Sequence, residues 1–140
     1  MYRESFMKIK LDKGAIAPTR AHPYDAGLDL YAMNDAVVDL QETFDTGVHV
    51  EIPEGCVGFI KSKSGLMVKN NITTDGTIDS HYTGSIKVKL FNHGESSHLV
   101  QAGDKIAQLV IVPCMLPRLE LVDSLEQTDR GDDGFGSTGR

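Results

Sequence analysis

The sequence predicts an all-β fold, a jelly-roll β-sandwich or distorted barrel with one short helix and a flexible C-terminal tail. Three observations carry that expectation. Short apolar runs alternate with a period of two, turn residues punctuate them at close intervals, and only one stretch has helical character.

The runs follow in order. GLDLYA (27–32), TGVHVEIP (46–53) and CVGFIKS (56–62) read as strands, as do GSIKVKLF (84–91) and KIAQLVIVP (105–113). In the fourth, Ile86, Val88 and Leu90 share one face. Pro53-Glu54-Gly55, Asn92-His93-Gly94 and Ala102-Gly103-Asp104 are turn signals. SGLMVKNN (64–71) reads as one or two helical turns, and DGTIDSHYTG (75–84) as a hairpin with a polar tip. After Leu125 apolar periodicity stops, so the expected organisation is a β-domain over 1–125 and a flexible glycine-rich segment over 126–140.

A chain of 140 residues is one domain, long enough to bury about 68% of its unfolded surface. A net charge of −6 without a basic stripe argues against nucleic-acid binding by phosphate neutralisation, while leaving room for a small phosphorylated ligand. No apolar run approaches the ~20 residues of a membrane span, and no signal-peptide pattern opens the chain. Cys56 and Cys114 read as free core thiols of a protein in a reducing cytoplasm.

Several residues could carry chemistry. Ser64 and Gly65 open the short helix beside Lys63, which suits a phosphate; equally, Ser64 could simply cap the helix. Asp79 is unusual within a hairpin arm: it is either a turn residue or a general base, with Tyr82 as an apolar wall for a sugar or base. Asp29 interrupts an apolar strand on the face opposite Leu28 and Leu30, where solvent exposure is the simpler expectation. Gln108 occupies a similar strand position. The five histidines have no metal-ligand spacing, and GFGSTG near the C-terminus lacks the ending of a phosphate-binding Walker loop.

Taken in order, AGLDLYA, SKSGL, GTIDSHYTG, GDKIAQL and RGDDGFGSTG resemble the five motifs of the trimeric deoxyuridine triphosphatase (dUTPase) family. The resemblance implies a jelly-roll homotrimer that hydrolyses dUTP to dUMP and pyrophosphate with Mg²⁺, each active site drawing on three subunits. By position, Asp79 matches the water-activating aspartate, and the segment around it, with Gly76 and Ile78, matches the uracil and deoxyribose pocket. Tyr82 matches the aromatic that packs on the sugar. Lys63, Ser64, Gly65 and Gln108 match phosphate contacts, and Asp29 the acidic residue that meets the metal through water. Arg130, Ser137 and Thr138 match γ-phosphate contacts, while Phe135 and Gly136 belong to the segment that covers uracil.

The resemblance has departures. Lys63 stands where the family usually has arginine, keeping the charge but losing the bidentate fork. His81 and Thr83 replace an aspartate and an arginine or glutamine, and Thr77 an apolar residue. Two other readings share the fold. One is the related dCTP deaminase, for which no acidic deaminase motif is present. The other is a nucleotide-gated regulatory protein that captures a protein partner, with or without catalysis.

Overall fold

The structure is a computed structural model that describes residues 5–136 and residue 139. The described residues form β1 (Ile9–Leu11), β2 (Leu28–Tyr31), β3 (Ala36–Val38), β4 (Gln41–Asp45), β5 (Val48–Val50) and β6 (Cys56–Lys61). Helix α1 (Ser64–Asn70) follows, then β7 (Ile72–Thr73), β8 (Asp75–Ile78), β9 (Lys87–Asn92), β10 (His98–Val100) and β11 (Lys105–Pro113). All pairings are antiparallel. One sheet runs β2-β11-β6-β8 and another β4-β9-β7, with β1-β5 and β10-β3 as two-stranded sheets. The architecture is the expected all-β jelly roll, without a closed barrel.

Alternation explains the layers. Strand β9 buries Val88, Leu90 and Asn92 and exposes the residues between them. Leu30, Ile60 and Leu109 of the four-stranded sheet join Phe44, Ile72 and Leu90 of the three-stranded sheet in one core. The buried Asn92 amide donates to the carbonyls of Val38 (3.0 Å) and Ser96 (2.8 Å), and its oxygen accepts the Gly94 N–H (2.9 Å), so its burial costs little.

The 75–84 segment departs from the expected hairpin. Strand β8 pairs with β6, whereas β9 pairs with β4 and β7, so the residues from Asp79 to Ile86 carry the chain from one sheet to the other. Asp79 accordingly lies just past the end of a strand, not within an arm. Cys56 and Cys114 are unpaired and half-buried rather than enclosed, with Cys56 packed against the core from outside. Beyond β11, Met115, Leu116, Leu119, Leu121 and Leu125 are largely exposed. No helix among the described residues is long and apolar enough to cross a membrane.

Candidate active site

Strand register builds the site. Asp29, Gln108, Lys61 and Asp75 are successive cross-strand partners on β2, β11, β6 and β8. Cross-strand partners share a face, so these four polar side chains form a transverse row, with Leu28, Leu109, Ile60 and Gly76 as the neighbouring row on the other face. A cavity of about 720 Å³ opens over the polar row and is bordered by Gly27, Ser62 and Lys63.

A β-bulge adds the cation that alternation alone would turn away. Tyr31 pairs with Lys105 and Leu30 with Ala107, leaving Ile106 as the extra residue on β11. The bulge buries Ile106 and Ala107 together and places Lys105 on the face of Asp29 and Gln108. Its Nζ stands 3.2 Å from Oδ2 of Asp29, while Lys63 Nζ stands 2.5 Å from Oδ1.

Asp29 is therefore not the solvent-facing residue that alternation suggested. It is 3% exposed, because its face of the strand is a cleft floor covered by two lysines, and its N–H donates to the Thr19 carbonyl at 2.7 Å. Burial pushes its carboxyl upward, but hydrogen bonds from Lys63 and Lys105 outweigh burial and hold it below the usual carboxylate range.

Gln108 Nε2 donates to the Ser62 carbonyl at 2.9 Å, which fixes its amide along the cleft. Gly27 makes that placement possible, since a Cβ there would lie 2.0 Å from Gln108 Oε1. At the start of α1 the N-cap is Lys63, in extended conformation and without a side-chain cap bond. Ser64 is thus the first helical residue rather than the cap, and it stands exposed with Gly65 at the helix entrance.

A second cluster lies past the far end of β8. Asp79 is exposed, and its carbonyl accepts the Tyr82 N–H at 3.0 Å, closing a turn. The Tyr82 hydroxyl donates to the Ser85 carbonyl at 2.8 Å, folding the ring back over Gly84. Ile78, buried beside Gly58, anchors the strand end. Asp79 is four residues beyond Asp75, so at ~3.3 Å per residue it lies about 13 Å along the strand from the polar row.

One chain therefore does not bring all the expected site residues together. Asp29, Lys63 and Gln108 border one cleft, with Ser64 and Gly65 at its edge; Asp79 and Tyr82 stand apart, outside that cleft. Arg130 donates through Nε to the Asp133 carbonyl at 2.7 Å, and Phe135 and Gly136 are exposed; none of the three lines the cleft. Ser137 and Thr138 lie outside the described residues. Sequence reasoning missed Lys105 and Gly27, although both stand in or beside quoted motifs. The spacing of Lys105 gives no hint of the bulge, and Gly27, lacking a side chain, matters only through what lies opposite it.

Residues 13–139 match the family model described as dUTPase. A deoxyuridine 5'-triphosphate nucleotidohydrolase of Gloeothece citriformis is 45% identical over 135 residues, covering 93% of each chain. The chain belongs to the dUTPase family. Among solved structures, the Staphylococcus bacteriophage 80alpha dUTPase with dUPNHPP matches with a TM-score of 0.86 at 32% identity, covering 98% of this chain and 100% of that one. A mutant dUTPase of phage phi11 matches with a TM-score of 0.80 at 29% identity, covering 88% and 100%; that structure reveals the coordination of a structural Mg(II) ion. Within this dUTPase chain, among the described residues, no group of three or more His, Cys, Asp or Glu side chains is placed to hold a metal.

Proposed function

We propose that this chain hydrolyses dUTP to dUMP and pyrophosphate in a site assembled between copies of itself, a homotrimer. Support for the activity comes from the polar row and its lysines in a dUTPase frame: Lys61, Lys63 and Lys105 gather at a cleft whose carboxylates, Asp25, Asp29 and Asp75, balance them until a phosphate chain binds. Support for the assembly comes from the separation of Asp79 from that cleft along β8.

The Asp79 carboxylate orients a water and takes its proton as the water oxygen attacks the α-phosphorus. The bond from that phosphorus to the bridging oxygen breaks, and pyrophosphate leaves. Lys61, Lys63 and Lys105 supply positive charge, while Gln108 and the exposed entrance of α1 at Ser64 and Gly65 hold phosphate oxygens. Asp29, whose two oxygens both face ammonium groups, would meet a bound Mg²⁺ only through water, and the ion would supply neutralisation of charge on the leaving group.

The backbone between Gly76 and Ile78 pairs with the uracil edge, and Tyr82 against the sugar leaves no room for a 2′-hydroxyl. The segment from Arg130 closes over the nucleotide from a third copy. Arg130 offers a forked cation, Phe135 a stacking face, and Gly131 and Gly136, at φ 51 and 85, a backbone able to approach phosphate. Ser137 and Thr138 complete the γ-phosphate contacts. Unpaired thiols and this substrate suit work in the cytoplasm.

Pyrophosphate release with Mg²⁺, offering dUTP, dTTP, dCTP and UTP separately, tests the reading. Cleavage of dUTP alone supports it; comparable cleavage of UTP or dTTP contradicts the pocket. A second reading, a nucleotide-gated binding protein on the same scaffold, draws support from likeness to the 80alpha dUTPase, one of the phage dUTPases described as controlling transfer of virulence genes. Partner capture that survives Asp79→Asn would favour it.

A further inference from the structure

One side chain outside the assigned site reaches from the sandwich to the segment that carries Asp79 and Tyr82. His49 sits mid-β5, opposite Lys10 of β1. Its Nδ1 is 2.7 Å from the Thr83 carbonyl oxygen, and its Nε2 is 3.0 Å from Oδ1 of Asp12. Both oxygens are acceptors. Only an imidazolium, with an N–H on each nitrogen, satisfies both contacts; in a neutral ring one lone pair would face an oxygen.

We propose that His49 is a positioning residue for hydrolysis: as an imidazolium bridging Asp12 and the Thr83 carbonyl, it ties the turn from Asp79 to Tyr82 to the frame of the sandwich. The proposal rests on the assignment of Asp79 as the water-activating residue. Thr83 follows Tyr82 directly, and Tyr82 is bonded back to the Asp79 carbonyl, so a hold on Thr83 restrains the turn bearing the carboxylate. Farther along, Asp45 accepts from the Ser85 hydroxyl, so His49 holds the near end and Asp45 the far end, while on the turn itself the exposed His81 ring stands 3.6 Å from the exposed Glu54 carboxylate.

The charged groups around the ring come from three elements. Lys10 and Asp12 lie on and after β1, Asp45 ends β4, and Lys8 and Glu51 line a shallow cavity together with His49 and Thr83. Hydrogen bonding to Thr83 and then to Asp12 holds the imidazole above its ordinary value, against the opposing charge of Lys10. The bridge is complete below that raised value and loses one of its two hydrogen bonds as pH rises through it. Turnover therefore declines as pH rises through that raised value, above the ordinary imidazole range.

The experiment measures kcat and KM for dUTP between about pH 5 and 9 for the full chain, His49→Gln, Asp12→Asn and Asp79→Asn, with urea unfolding in parallel. The proposal expects His49→Gln to lose about three- to tenfold in kcat at acidic pH, the worth of one hydrogen bond, with little change in KM and no alkaline decline. Asp12→Asn should keep its acid-side kcat and move the decline to lower pH, because the charge that favours the imidazolium is gone. A folded His49→Gln with the parent's kcat and profile, or an Asp12→Asn decline that stays in place, overturns the proposal. If His49→Gln fails to fold, the Asp12→Asn profile and an NMR titration of the His49 ring decide it. Full hydrolysis by Asp79→Asn would instead overturn the site assignment beneath it.

Discussion

The Lys63 ammonium lies 2.5 Å from Oδ1 of Asp29, a carboxylate buried at the floor of the cleft, and Lys105 takes the other oxygen at 3.2 Å. Two cations are thus parked on one anion where a polyanionic substrate is to bind. Removing the anion leaves both lysines facing each other. Asp29→Ala should cost about 1–3 kcal/mol by urea denaturation and also impair dUTP hydrolysis. Unchanged stability would mean that the pair is solvated rather than structural.

Gly27 permits the Gln108 amide to lie along the cleft, because a Cβ would fall 2.0 Å from its oxygen. The closest obstructing atom ends a flexible side chain, though Gln108 Cβ would also lie at 3.2 Å, so Gly27→Ala should fold with a modest loss of stability. It should raise KM for dUTP by displacing Gln108 from the Ser62 carbonyl. A parent-like KM would remove Gln108 from the phosphate contacts.

Several strands and the helix were legible in the sequence. Residues 105–113 and the start of the helix at Ser64 coincide with β11 and α1. Three-residue strands such as Ile9–Leu11, Ala36–Val38 and His98–Val100 were not, since three positions hardly establish a period. The hairpin reading of 75–84 failed for a different reason: alternation marks a strand but does not name its partner, and β8 and β9 pair in different sheets. Asp29 shows the same limit. Its face was readable, but whether that face met water or a cleft depended on Lys63 from another element and on a bulge that reorients Lys105. The role proposed for Asp79 rests on motif order along the chain, not on its local surroundings.

The Ser85 hydroxyl donates to Asp45, and this bond, with the Gly47 N–H at 2.9 Å, holds the Asp45 carboxyl below its usual value despite some burial. A carboxylate depressed in the folded state contributes stability that is present above its unfolded value of about 3.9 and is lost as pH falls through the folded value. Acid should therefore lower the urea midpoint of the parent more than that of Asp45→Asn. Parallel acid profiles would deny Asp45 this role.

The segment from Glu126 to Gly136 is exposed almost throughout and adds no residue to the core. A chain ending at Leu125 should keep its thermal midpoint while losing most of its turnover of dUTP. A lower midpoint with normal turnover would make the segment structural.

The most direct measurement mixes two inactive variants. Asp79→Asn keeps an intact cleft, and Gln108→Ala keeps an intact Asp79 turn; purified separately, both should hydrolyse dUTP poorly. After joint unfolding and refolding, copies of the two should assemble together. Some shared sites would then combine a native cleft from one chain with a native Asp79 from another, and pyrophosphate release should return. If both chemistries belonged to a single chain, no mixed assembly would contain a complete site, and the mixture would stay as inactive as its parts.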